Sequence, residues 1–139
     1  MSTRLVSVKL DDSLKTVKEL FDRTGFHHLL VVSSESNELY GVISDRDLLK
    51  TISPKIGTPA ETAGDKATLN KKAHQIMTRK PVTLKSDDDV YEAVHIFNTH
   101  NISCIPVVND NNTPIGIISW RDILKAIEKN HNRQAHQTT

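Results

Sequence analysis

The sequence predicts an α+β fold of two β-α-β-β-α repeats packed around a pseudo-two-fold axis. Three observations carry that prediction. The stretch Gly41-Val42-Ile43-Ser44-Asp45-Arg46-Asp47-Leu48-Leu49-Lys50 returns as Gly116-Ile117-Ile118-Ser119-Trp120-Arg121-Asp122-Ile123-Leu124-Lys125. Matching positions keep a steady offset: Val6 with Val82, Phe21 with Phe97, Phe26 with Ile102 and Val32 with Val108 are each 76 apart, and from Gly41 and Gly116 onward the offset is 75. An offset that holds through five elements marks a duplicated supersecondary unit with one extra residue in a turn of the first copy. Each copy is about 50 residues long, too small to bury much apolar surface alone, so the twin copies are expected to pack on each other.

The elements follow in order. Val6-Ser7-Val8 alternates apolar and polar and reads as a short strand. Asp11-Asp12-Ser13 supplies cap residues, and Leu14, Val17, Leu20 and Phe21 then form one apolar stripe at helical spacing. Gly25 closes that helix, since glycine tolerates the left-handed turn at helix ends. Residues 26–32 read as a strand, 33–38 as a polar turn, and 39–43 as a second strand. Ser44 opens a helix that ends near Ile52, before Ser53-Pro54. Residues 54–64 hold two prolines and two glycines and read as a linker; residues 65–77 read as a helix with Leu69, Ala73 and Ile76 on one face.

The order then restarts. Residues 81–84 match the first strand, and Ser86-Asp87-Asp88-Asp89 supplies the cap. Val90, Ala93, Val94 and Phe97 form the stripe, residues 102–108 and 115–118 are strands, and Ser119 opens a helix to about Lys129. The domain reading is therefore a first repeat at 1–53, a linker with a helix at 54–77, a second repeat at 78–130 and a polar tail at 131–139.

Composition narrows the function. Eighteen Lys and Arg against 17 Asp and Glu leave a net charge of +1, so no broad basic face for nucleic acid is evident. A single cysteine, Cys104, excludes a disulfide framework and a thiolate zinc site. The sequence has no apolar run of bilayer length and no signal-peptide core, and a cytoplasmic location without membrane insertion is the expectation. It has no P-loop, Rossmann glycine motif, nucleophile elbow or zincin helix, and nothing beyond composition suggests a Ser-His-Asp set, so the chain is not expected to be an enzyme; a small nucleotide-processing enzyme that turns over with one added metal is the separate hypothesis. His27, His28, His95 and His100 lack spaced partners for a metal, and Asp87-Asp88-Asp89 reads as cap residues set against the helix dipole.

Chemistry concentrates at the repeated turn. Ser followed three residues later by Asp, at the passage from a buried strand into a helix, reads as a capping box. A helix start also offers unpaired N–H groups and a partial positive charge, so the same residues either cap the helix alone or also hold a polar ligand.

The ordered set Asp89-Val90-Tyr91-Glu92-Ala93-Val94, Ile102-Ser103-Cys104-Ile105-Pro106-Val107-Val108 and Gly116-Ile117-Ile118-Ser119-Trp120-Arg121-Asp122 resembles the cystathionine β-synthase (CBS) domain, and its doubled occurrence resembles the CBS pair, or Bateman module. The first copy matches over residues 14–21, 26–32 and 41–47. The resemblance implies a stand-alone regulatory module that binds an adenosine-containing ligand (AMP, ADP, ATP or S-adenosylmethionine) in clefts between the repeats. It also implies a homodimeric disc of two modules signalling to a separate protein target, with no obligatory cofactor and no metal. Ser119 and Asp122, and Ser44 and Asp47, would hold ribose hydroxyls. By the same resemblance Val6, Ser7, Ile102, Ser103 and Pro106 join Trp120 and Arg121 at the second-repeat turn. Val82, Thr83, Phe26 and His27 join Arg46 at the first-repeat turn. The family's proline is present as Pro106, but Leu30 stands in its place in the first copy, so the second-repeat turn is the better match.

Several residues keep two readings. Trp120 either flanks a purine or packs as an ordinary surface aromatic; its counterpart, Asp45, cannot stack. Arg46 and Arg121 either meet phosphate or form surface ion pairs. Arg79 and Lys80 are further phosphate candidates. The whole-chain alternative is a ligand-free dimerisation or interaction scaffold in which the Ser-x-x-Asp turns are caps and nothing more.

Overall fold

The computed structural model describes residues 3–137. It divides into two units, Leu5–Pro81 and the chain from Val82 onward; Thr3 and Arg4 group with the second. In the first unit, β1 (Ser7–Lys9), α1 (Leu14–Thr24), β2 (His28–Val32), β3 (Leu39–Ser44) and α2 (Asp45–Thr51) follow the predicted β-α-β-β-α order. The connecting segment adds α3 (Ala63–Ala67), a 3-10 turn (Thr68–Asn70), α4 (Ala73–Ile76) and β4 (Thr78–Arg79). Its sheet has the order β1-β2-β3-β4, with β1 parallel to β2 and the other pairs antiparallel. The second unit holds α5 (Val90–Thr99), β5 (Cys104–Val108), β6 (Pro114–Ser119) and α6 (Trp120–Gln137), with β5 and β6 antiparallel.

The duplication extends to hydrogen-bond register. His28 pairs with Ser44 and Leu30 with Val42 in one unit; Cys104 pairs with Ser119 and Pro106 with Ile117 in the other. Both hairpins carry a bulge at the same place, between Val31 and Val32 and between Val107 and Val108. The extra residue lies in the turn, where 33–38 is six residues long and 109–113 is five. In both turns the penultimate residue is an asparagine in the left-handed region, Asn37 at φ 58° and Asn112 at φ 60°, a conformation asparagine tolerates better than most residues. The caps recur as well. Ser13 accepts from the Thr16 N–H and Asp89 from the Glu92 N–H, while Asp12 and Asp88 accept from the N–H groups of Lys9 and Lys85.

Each unit has its own core built from the predicted stripes. Val8, Val17, Phe21, Leu29, Val31 and Leu48 are matched by Leu84, Ala93, Phe97, Ile105, Val107 and Ile123. Burying one large side chain of this kind contributes about 1.5–3 kcal/mol, so both helices are held chiefly by their apolar face.

Besides β4, which the sequence reading did not contain, three elements differ from it. The helix expected over 65–77 is broken, because the chain near Lys71 pairs with residues 10–14 instead. Leu14 N–H donates to the Lys71 carbonyl at 2.8 Å and Ala73 N–H to the Asp12 carbonyl at 2.8 Å, which seats Ala73 in the core. The strand expected at 81–84 is reduced to a single bridge, Leu84 with Val107. The last helix does not stop near Lys129; no glycine or proline follows, and α6 continues to Gln137, so most of the expected polar tail is helical while 138–139 lie outside the described residues.

Candidate ligand-binding turns

At the end of β3 the chain passes straight into α2. Ser44 is extended (φ −91°, ψ 159°), its Oγ accepts from the Asp47 N–H at 3.0 Å, and Asp47 Oδ2 accepts from the Ser44 N–H at 3.0 Å. The reciprocal bonds satisfy two otherwise orphaned donors and fix the Asp47 rotamer. The second turn repeats the arrangement. Ser119 N–H donates to Asp122 Oδ2 at 2.8 Å, Ser119 Oγ lies 3.2 Å from the same oxygen, and the Asp122 N–H lies 3.4 Å from Ser119 Oγ. In both half-buried aspartates the cap occupies Oδ2, and among the described residues Oδ1 takes no hydrogen bond. An oriented carboxylate oxygen left over from a cap is the acceptor that a hydroxyl pair needs.

The surroundings of the two turns diverge. Beside the first, Asp45 N–H donates to the His27 carbonyl at 3.0 Å, and His27 Nδ1 lies 2.8 Å from Asp45 Oδ2. Burial pushes the Asp45 carboxyl up, but the hydrogen bonds from His27 and the Arg46 N–H outweigh it and leave the group below the usual carboxylate range. Burial likewise pushes the neighbouring His28 below the ordinary imidazole value, partly offset by the Asp45 charge. Beside the second turn, Trp120 takes the place of Asp45. Its ring stacks on Phe97, with centroids 4.8 Å apart and planes 30° apart, yet the residue remains 46 % exposed. Cys104 is buried in β5, and burial pushes its thiol up to about 12, which makes it an inert core residue.

The family model of the CBS domain matches residues 1–54 and again residues 73–129. The chain belongs to the CBS domain family. A CBS domain-containing protein of Dictyostelium discoideum is 32 % identical over 130 residues, which are 93 % of this chain and 88 % of that protein. Among solved structures, the protein MJ1225 of Methanocaldococcus jannaschii is 25 % identical with a TM-score of 0.78; the match covers 94 % of this chain and 48 % of that one. The CBSX2 protein, solved in complex with AMP, is 23 % identical with a TM-score of 0.76, covering 94 % of each chain. The chain thus spans most of the Dictyostelium relative and about half of MJ1225. These likenesses carry the α+β fold of a CBS pair with its two β-α-β-β-α units. Among the described residues no helix is long and apolar enough to cross a membrane.

Within the first CBS repeat, Phe26 and His27 lie beside the Ser44–Asp47 turn, because His28 pairs with Ser44. In the second, Ser103 precedes Cys104, which pairs with Ser119, so Ile102 and Ser103 arrive at the same end of the sheet as Asp122. Pro106 is buried in the middle of β5. Val6 and Ser7 belong to the first unit and Val82 and Thr83 to the second; each pair is in the opposite unit from the aspartate that the family resemblance assigns to it. Arg46 and Arg121 are exposed, and among the described residues neither guanidinium pairs with a carboxylate. Arg79 is held back on the connector, donating to the His74 carbonyl at 3.1 Å. Lys80 is exposed at φ 48°, its N–H 3.3 Å from the Tyr40 carbonyl. The sequence reading missed two features. Phe97 serves as the platform under Trp120, a match visible only once both aromatics are placed. The His27–Asp45 pair was hidden because its members are 18 residues apart.

Proposed function

We propose that this chain is a regulatory module that binds an adenosine-containing ligand at its Ser-x-x-Asp turns and signals to a separate protein. AMP, ADP, ATP and S-adenosylmethionine are the candidates. The observation that carries the reading is the pair of matched turns in which a half-buried aspartate is oriented by its own cap and keeps Oδ1 unengaged. A cap alone needs one oxygen; a ribose diol takes the other. The AMP complex of CBSX2, which shares the fold, supports the ligand class. Ser119, Asp122 and the exposed face of Trp120 form the better-equipped turn, with Val6, Ser7, Ile102, Ser103, Pro106 and Arg121 assigned to the same ligand. Ser44, Asp47, Arg46, Phe26, His27, Val82 and Thr83 form the second set. Arg79 and Lys80 are the cations proposed for phosphate. The module works by differential affinity: a ligand that favours one arrangement of the protein shifts its population toward that arrangement.

Asp122→Asn tests the reading because the amide oxygen still caps Ser119 while the charge is lost. A charge-assisted bond contributes about 1.5–3 kcal/mol, so calorimetric affinity for the adenine ligand should fall about 10- to 150-fold. Asp47→Asn reports on the first turn in the same way. If neither variant changes the affinity, the turns are caps and the reading fails.

A second reading, self-association, is favoured by an apolar stripe. Trp120, Leu124 and Ile127 are 46 %, 63 % and 53 % exposed at i, i+4 and i+7 along α6, and Tyr91 on α5 is exposed as well. Such a stripe fits a homodimer contact, and it serves a ligand-bound module and a ligand-free scaffold alike.

A further inference from the structure

We propose that Ser53 is a phosphorylation site, and that a phosphate there unties the connecting segment from the end of α2. The connecting segment has little core to hold it. No residue from Ser53 to Lys72 is buried, and Ile56 and Leu69 only pack against the margin of the first core. Polar contacts hold it instead, and they meet at Asp65. Thr62 and Asp65 form a capping box at the start of α3. Asp65 Oδ2 accepts from the Thr62 N–H at 2.8 Å and lies 3.0 Å from Thr62 Oγ1, and the Asp65 N–H donates to Thr62 Oγ1 at 3.2 Å. The arrangement is that of Ser44 and Asp47 with one difference. Here the other oxygen, Oδ1, is taken by the Ser53 hydroxyl at 2.7 Å, from 12 positions away. The Ser53 N–H donates to Thr68 Oγ1 at 3.2 Å, and Thr68 Oγ1 donates to the Asp65 carbonyl at 2.7 Å. Ser53 thus ties the end of α2 to α3 and the 3-10 turn. Its hydrogen bond is the foremost of those that hold the Asp65 carboxyl below the usual carboxylate range.

The same hydroxyl stands in a sequence that a protein kinase can read. Ser53 is followed by Pro54, and Thr58, in the same loop, by Pro59. A residue before proline favours extended backbone, and the proline brings no N–H that would be left unpaired. A serine/threonine kinase that selects proline after its acceptor binds that shape. Segments held by few buried contacts open locally, so half-buried Ser53 reaches such a kinase without global unfolding. In the transfer, Ser53 Oγ bonds to the γ-phosphorus of ATP as the bond from that phosphorus to the β-phosphate oxygen breaks. ADP leaves with the electron pair, and the hydroxyl proton passes to the kinase's base. The phosphoserine carries a charge of about −1.5 to −2 at pH 7 and has lost the serine hydroxyl. It meets the Asp65 carboxylate with like charge where a hydrogen bond had been, so attraction becomes repulsion.

The full chain, incubated with MgATP and a cyclin-dependent kinase, should carry phosphate on Ser53 when the site is located by mass spectrometry. Amide hydrogen exchange at Thr62, Asp65 and Lys66 should then quicken about 10- to 150-fold, the range for loss of one charge-assisted bond. Ser53→Ala should quicken the same amides without any kinase. Asp65→Ala, which frees the hydroxyl, should be phosphorylated on Ser53 faster than wild type. Phosphate on Thr58 alone, or on neither residue, overturns the site. Phosphorylated Ser53 with unchanged exchange at these amides, or an Asp65→Ala chain modified no faster than wild type, overturns the untying.

Discussion

Gly41 is the position where the fold of the first unit can be tested most sharply. It sits in β3 opposite both Val31 and Arg79, flanked on two sides by main chain. A Cβ built there would lie 2.6 Å from Met77 Sδ, 2.9 Å from Met77 Cγ and 2.8 Å from the Thr78 carbonyl oxygen. Met77 can swing aside, but Thr78 is main chain paired with Val42, so relief requires β4 to retreat by about 0.5 Å or detach. Overpacking of this kind costs about 1–3 kcal/mol, against a gain of about 0.5–1 kcal/mol from replacing a flexible glycine in a strand. Gly41→Ala should therefore destabilise the protein by roughly 0.5–2 kcal/mol in urea titration, and amide exchange at Thr78, Arg79 and Lys80 should quicken. Gly64→Ala is the control: its Cβ would meet only Thr62 Oγ1, at 3.7 Å, in a helix where alanine is favoured by up to about 1 kcal/mol. A Gly41→Ala protein as stable as wild type, with unchanged exchange in β4, would refute the close approach and with it the placing of Arg79 and Lys80.

His28 should give stability a pH dependence below neutrality. Its folded pKa is lowered from about 6.5 by burial, so the unfolded chain binds the proton first; the contribution is complete above pH 6.5 and is lost as pH falls through the lowered folded value. Urea midpoints between pH 5 and 8 should be flatter for His28→Val than for wild type, and parallel curves would exclude the effect. Leu124→Asp should weaken self-association about tenfold or more in sedimentation equilibrium, because it places a charge in the centre of the α6 stripe. A wild-type chain that sediments as a monomer at high micromolar concentration would remove the dimer reading.

What was legible in the sequence depended on repetition and local chemistry. The offset of 76 falling to 75 located the longer turn to within a few residues, and Ser13, Ser44, Asp89 and Ser119 announced helix starts by their own side chains. Both aspartates of the repeated turn were identifiable because a capping box is written in four consecutive residues. What was not legible depended on distant partners. No pattern within 65–77 reveals that Lys71 must accept from Leu14, so a helix-forming stretch read as one helix when tertiary pairing breaks it. Thr78 and Arg79 form too short a strand to show alternation; only the bare backbone of Gly41 makes room for it. The shortening of the strand expected at residues 81–84 was hidden for a related reason, since its partner strand, which holds Pro106 with no N–H to extend the pairing, is about 20 positions away.

The two turns share a backbone arrangement but differ in the side chains beside them. Three of the positions that diverge in chemical character lie on the elements that carry the shared Ser-x-x-Asp: His27 against Ser103, Leu30 against Pro106, Asp45 against Trp120. None disturbs hairpin register, which is the same in both units. Asp45 has a sufficient local reason to stand at the first position of a helix, where a carboxylate opposes the helix dipole and takes a proton donor from His27. Trp120 has no such reason. Tryptophan gains nothing from the dipole, and here it leaves nearly half its surface in water while stacking its ring on Phe97. A residue that is costly to expose, braced by a buried aromatic and set one residue after the serine of an oriented Ser-Asp pair, is arranged to present a flat apolar surface. On the reading proposed above, the second turn would offer a flat apolar face to a planar ring, whereas the first, where His27 Nδ1 meets Asp45 Oδ2 and no aromatic stands, would offer hydrogen-bonding groups.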